Sequence, residues 1–150
     1  MSHARSLARR YAVQAIYQWQ LGGYSQPGEE PYFVADRDRN KIDRGYYDML
    51  VNEVLSRHED LDRQLAAALD RKVAEVNPVE LAILRLGACE MIYHPDVPYR
   101  VVINEAVELA KRFGAQNAHK YVNGILDTLA ATVRAGEFRA NSGQTGRTSA

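Results

Sequence analysis

Arg10, Gln14 and Tyr17 follow one another at i, i+4 and i+7 near the N-terminus, so on a helix they share a face, with Arg5 and Arg9 one turn apart close by. Guanidinium forks hold phosphate oxygens, and an amide or phenol beside them can hydrogen-bond to or stack on an unpaired base. A solvated basic face closed by a half-buried tyrosine fits the same five residues. A second constellation lies in NAHKYVNGILD, Asn117 to Asp127, where Asn117, Lys120 and Tyr121 join an amide, a cation and a ring, and His119 and Asn123 share the neighbouring stripe. Gly124 in the middle of that helix costs about 1 kcal/mol relative to alanine. Its presence points to a close approach there, either by a ligand or another backbone or by a packed neighbour. A basic patch with a ring and amides suits single-stranded RNA better than duplex DNA, whose major groove calls for a longer, more basic reading helix.

Bond-making chemistry finds little support. His3, His58, His94 and His119 are scattered, none standing with Cys or carboxylates at a ligand spacing, so no metal site is expected. The ten glycines form no phosphate loop, and no cofactor is expected. Cys89 lies among Leu86, Ala88 and Ile92 and reads as a small core residue. Glu105 and Glu108 are one turn apart, as solvated helix faces commonly place carboxylates.

The elements that must position these residues are helices, because no period-two alternation bounded by turn residues is present. The fold class is all-α. A first helix is expected from about Ala4 to Leu21, stopped by Gly22 and Gly23. A turn-rich segment with a short helical piece follows, and then two helices hinged near His58. Asn77, Pro78 and Glu80 form the clearest start signal: N-cap, first helical position and capping-box spacing. The helix behind them is apolar nearly all round and should be the central one. Val102, Ala106, Leu109, Ala110 and Phe113 line one stripe of the next helix, which pairs Glu108 with Arg112 and ends at Gly114. A last helix from about Gln116 to Arg134 turns Ala118, Val122, Ile125, Leu129 and Val133 inward. One domain over residues 1–135 is expected, with 136–150 a disordered polar tail.

The chain of 150 residues is long enough to bury about two thirds of its unfolded surface without staples. A single cysteine excludes an internal disulfide and points to a reducing, cytoplasmic setting. The start lacks the apolar stretch of a signal peptide, and no apolar run reaches the roughly 18 residues of a membrane span. Nineteen basic residues balance nineteen acidic ones, yet no acid precedes Glu29, so any pull on nucleic acid is local and modest.

RRYAVQAIYQWQ, NPVELAILRLGACEM and DVPYRVVINEAVELAKRFGAQNAHKYVNGILD together resemble the NusB family of bacterial transcription antitermination factors. The resemblance spans about Ala4 to Arg134 and is loosest from Tyr24 to Arg57. It implies about six to seven helices in two packed subdomains, no catalytic activity, and joint binding of boxA RNA with NusE, the small-subunit ribosomal protein, so that RNA polymerase in its antitermination complex reads through ribosomal RNA operons. Carried over by position, it implies RNA contacts at Arg5, Arg9, Arg10, Lys120 and Tyr121, which Gln14 and Asn117 join by their spacing and residue type, and partner contacts at Tyr17, Arg71, Glu75 and Glu80. Glu80 thus has two readings, cap and partner contact. Ser6 and Leu7 stand where relatives often carry arginine, which weakens RNA affinity. Gln116 and Asn117 stand where they are often acidic, which removes a repulsion. A homodimer burying the first helix would hide the arginines. Two alternatives remain at this level: an RNA-binding accessory domain like that of certain ribosomal RNA cytosine methyltransferases, and a pure protein adaptor.

Overall fold

The computed structural model describes residues 3–30 and 34–141, and no strand occurs among them. Five helices carry the fold: α1 (His3–Gln20), α2 (Arg44–Ala66), α3 (Pro78–Tyr93), α4 (Tyr99–Phe113) and α5 (Ala118–Val133), with single 3-10 turns at Asp36–Asp38 and Val73–Glu75. The chain turns at Arg134 and is helical again over 135–141.

α3 is the axis of the molecule. Asn77 Oδ1 accepts the backbone N–H groups of Val79 at 2.9 Å and Glu80 at 3.4 Å, and Pro78 supplies the fixed φ of the first turn. Every residue from Leu81 to Met91 is buried, because α1 and α2 pack together against α3 from one pair and α4 and α5 from another. The two expected subdomains are therefore two helix pairs sharing one core. The close approach falls at Gly87, where a Cβ would stand 2.9 Å from the Leu126 side chain of α5. At Gly124 a Cβ would meet nothing within 4 Å, so no neighbouring helix among the described residues explains that glycine.

The two helices expected here meet within α2 at a kink, where Arg57 leaves helical geometry at φ −114°, ψ 16°, one residue from the expected hinge. Glu108 pairs with Lys111 at 3.7 Å in α4, where a pair with Arg112 was expected; the i,i+3 partner reaches it first. The buried Arg134 donates to the carbonyls of Met91, His94 and Val97, which ties the end of α5 to the turn between α3 and α4. That anchoring extends order past Gly136: Arg134 pairs with Glu137 at 2.7 Å, Glu137 accepts the Tyr99 N–H, and the Phe138 ring lies 5.7 Å from that of Tyr99. The expectation of a disordered stretch from 136 thus fails over 136–141, and residues 142–150 lie outside the described residues.

Candidate nucleic-acid interface

The structure disperses the expected arginine cluster of α1. Arg9 is 1% exposed and points into the protein, where Nε and Nη2 each donate to a carboxylate oxygen of Glu90 at 2.8 Å and Nη1 donates to Glu105 at 2.8 Å. Burial alone would lower the Arg9 pKa, but the hydrogen bond and charge of Glu90, aided by Tyr46 and Glu105, raise it well above the usual range. Tyr46 donates its hydroxyl to the same Glu90. Arg9, expected to face RNA, is instead an internal ion-pair residue with almost no exposed surface; its place at i−3, i−4 and i−7 from Ala12, Val13 and Ile16 sets it on the buried stripe. Arg5 is half-buried with its guanidinium 4.4 Å from the Tyr46 ring centroid.

Arg10 does reach the surface. It lines a cleft of about 420 Å³ between α1 and α4 with Ser6, Glu105, Glu108, Leu109, Lys111 and Arg112. Glu105 is turned to Arg9 and Ser6, and Glu108 to Lys111, so the carboxylates are engaged. Among the described residues neither Arg10 nor Arg112 is held in an ion pair. Lys111 and Arg112 stand in the last turn of α4, where they complement the helix dipole, and packing of α4 on α1 makes them neighbours of Arg10.

Along the same face of α1, Gln14 and Tyr17 line a second groove of about 350 Å³ with Val13, Gln18, Val79 and Phe113. This groove is mainly apolar, and Gln14 is tethered by a bond from its amide to the Arg10 carbonyl at 3.2 Å. Gln14 and Tyr17 were expected to serve different ligands, yet one groove holds both.

Asn117 and Lys120 are exposed at the start of α5. Asn117 has φ +77°, a left-handed backbone that asparagine tolerates better than most residues, so turn geometry is a second reason for its identity. Tyr121 lies beneath Arg71, whose guanidinium is 4.9 Å from the ring centroid, and its hydroxyl donates to Asp70 at 3.4 Å. Burial first, then Asp70, raises the Tyr121 pKa against the opposing charge of Arg71. Arg71 and Tyr121, expected on different interfaces, therefore form one cluster, within the field of Glu80. Glu75 is exposed in the second 3-10 turn.

One grouping escaped the sequence. Glu53, Cys89 and His94 bring a carboxylate oxygen, the thiol sulfur and a ring nitrogen within 4.8 Å of one another.

The family model described as NusB family matches residues 6–131. The chain belongs to the NusB family. Two relatives named transcription antitermination protein NusB are 51% identical over 142 residues in Nitrosococcus oceani, covering 95% of both chains, and 53% identical over 134 residues in Alcanivorax borkumensis, covering 89% of both. The fold is similar to that of T. maritima NusB, with a TM-score of 0.71 over 93% of this chain and 99% of that one at 24% identity. It is also similar to a chain in a crystal structure of the antitermination factors NusB and NusE in complex with dsRNA, with a TM-score of 0.70, 27% identity, and coverage of 86% and 97%. No helix among the described residues of this NusB-family chain is long and apolar enough to cross a membrane.

Proposed function

We propose that this protein is a non-catalytic transcription antitermination factor that binds boxA-type RNA jointly with NusE, within the antitermination complex of RNA polymerase, in the cytoplasm. The observation that carries the reading is the division of one face of α1 between a polar cleft edged by Arg10, Lys111 and Arg112 and an apolar groove around Tyr17, Val79 and Phe113. The cleft has the charge for phosphate oxygens and the groove has the surface for a protein side chain. RNA and NusE can therefore occupy adjoining ground, and a protein of zero net charge gains affinity by sharing its RNA with a partner. Asn117 and Lys120, exposed at the start of α5, offer a further amide and cation, and Tyr121, Arg71 and Glu80 act as a coupled set.

The test is fluorescence anisotropy of a labelled boxA-type RNA titrated with the protein, with and without NusE, against a scrambled strand and a duplex of equal length. Sequence-selective binding to the single strand that tightens with NusE is the expected result. Equal, weak binding to every RNA in both conditions would overturn it.

A further inference from the structure

We propose that Glu53, Cys89 and His94 form a binding site for a thiophilic divalent cation of the Zn²⁺ class. The site is independent of the RNA face. Glu53 comes from α2 one turn before the kink at Arg57, Cys89 from the buried face of α3, and His94 from the residue at which α3 ends. At φ −126°, ψ 71° His94 leaves the helix, so its ring is free of the i,i+5 offset that would separate it from Cys89 on a continuing helix.

The donors already converge. Cys89 Sγ donates to Glu53 Oε2 at 3.3 Å, and His94 Nε2 lies 2.7 Å from the same oxygen. Donors around a tetrahedral Zn²⁺ with bonds of about 2.0 to 2.3 Å stand roughly 3.3 to 3.8 Å apart, so less than about an ångström of rearrangement is required. Cys89 is wholly buried and forms the floor, while the side chains of Glu53 and His94 keep 27% and 15% of their exposure. That leaves an ion a way in and a water its fourth position. One thiolate, one imidazole and one carboxylate select a borderline-soft ion over Mg²⁺ or Ca²⁺.

The surroundings favour positive charge. Burial first, then the carboxylates of Glu53 and Glu90, push the Cys89 thiol well above its ordinary range, and Arg57 opposes them. Glu90 is held by Arg9, and the Arg57 guanidinium is stacked 4.3 Å from the Tyr93 ring centroid. On binding, the S–H bond breaks, its proton passes to buffer, and sulfur bonds the metal; the Nε2 proton that faces Glu53 also leaves to buffer while the ring keeps or takes up a proton at Nδ1, which frees the Nε2 lone pair for the metal, and the Glu53 carboxylate supplies the third bond. No electron changes hands.

Cys89 is the chain's single cysteine, so any thiolate-to-metal band reports this position. The full-length protein, stripped by chelator and kept reduced, is titrated with Co²⁺. Expected are a near-ultraviolet thiolate-to-cobalt band and strong visible bands of tetrahedral cobalt, saturating at one ion per chain, abolished by one equivalent of Zn²⁺ and indifferent to excess Mg²⁺. Cys89→Ser removes the charge-transfer band, and His94→Gln and Glu53→Gln weaken binding by at least about tenfold. If Cys89→Ser does not fold by circular dichroism, His94→Gln and Glu53→Gln, which change partly exposed side chains, decide the matter. Absence of the band at millimolar Co²⁺, or a band of unchanged affinity in both of those variants, overturns the site and leaves a hydrogen-bonded triad joining α2 to the end of α3.

Discussion

Arg9 and Glu90 meet inside the protein as a two-point ion pair, each 1% exposed, with nitrogen to oxygen distances of 2.8 Å at both contacts. The pair joins α1 to α3, and Glu105 and Tyr46 complete its hydrogen bonds from α4 and α2. Removing one member strands the other in a medium that solvates it poorly. Arg9→Ala should therefore cost about 3 to 5 kcal/mol of unfolding free energy. The double change Arg9→Met with Glu90→Leu should recover most of it. Urea denaturation followed by circular dichroism checks both, and a loss below about 1 kcal/mol in Arg9→Ala would show the pair to be dispensable.

RNA affinity should depend on the arginine that reaches the surface. Arg10→Glu combined with Lys120→Glu is expected to abolish RNA binding while the denaturation midpoint stays close to that of the parent. A log-log salt slope of about −2 to −4 should accompany the parent protein, as three to five phosphate contacts to a single strand require. A slope near −10 would mean a far larger phosphate interface than Arg10, Lys111, Arg112 and Lys120 supply.

Gly87 and Gly124 should respond oppositely to added side chains. Gly124→Ala puts a methyl into open space on a helix and is expected to raise stability by about 1 kcal/mol. Gly87→Val drives a branched side chain into Leu126 and should cost about 1 to 3 kcal/mol. If Gly124→Ala also lowers affinity for NusE or RNA, that glycine serves a surface contact; unchanged affinity alongside higher stability would leave it without one.

Alkaline pH should destabilise the fold through buried phenols. Burial first, then the charge of Glu30, raises the pKa of Tyr24, whose hydroxyl donates to the Ala15 carbonyl at 2.7 Å; Tyr46 is raised by burial and then by Glu90. In the unfolded chain these phenols ionise near pH ~10. Their contribution is fully present below that value and is lost as pH rises above it, because the unfolded state releases protons that the folded state retains. Urea midpoints measured between pH 8 and 11, as about the accessible range, should fall above pH ~10, and less steeply in Tyr24→Phe. Identical slopes in parent and variant would remove Tyr24 from the account.

What the sequence alone determined is what depends on neighbours along the chain. Helical period, the Asn77–Pro78 start, the apolar α3, the inward stripe of α5 and the weakness near His58 are local properties of spacing and backbone preference, and the structure carries each of them. The burial of Arg9 was half legible: Arg9 lies on the stripe of Ala12, Val13 and Ile16, and Glu90 is, with Glu80 and Arg85, one of three charged residues in a mainly apolar helix, so a buried carboxylate needed a cation from another helix. Which of the neighbouring arginines turned inward was decided only when α3 and α4 packed on α1.

Tertiary structure also made Lys111 and Arg112 neighbours of Arg10, set Arg71 over Tyr121, gave Phe138 a partner in Tyr99, and brought Glu53 to Cys89 and His94. Each of these meetings joins residues from different helices or across a chain turn. Their distances depend on helix crossing and on where a helix ends, and neither is a property of residue spacing.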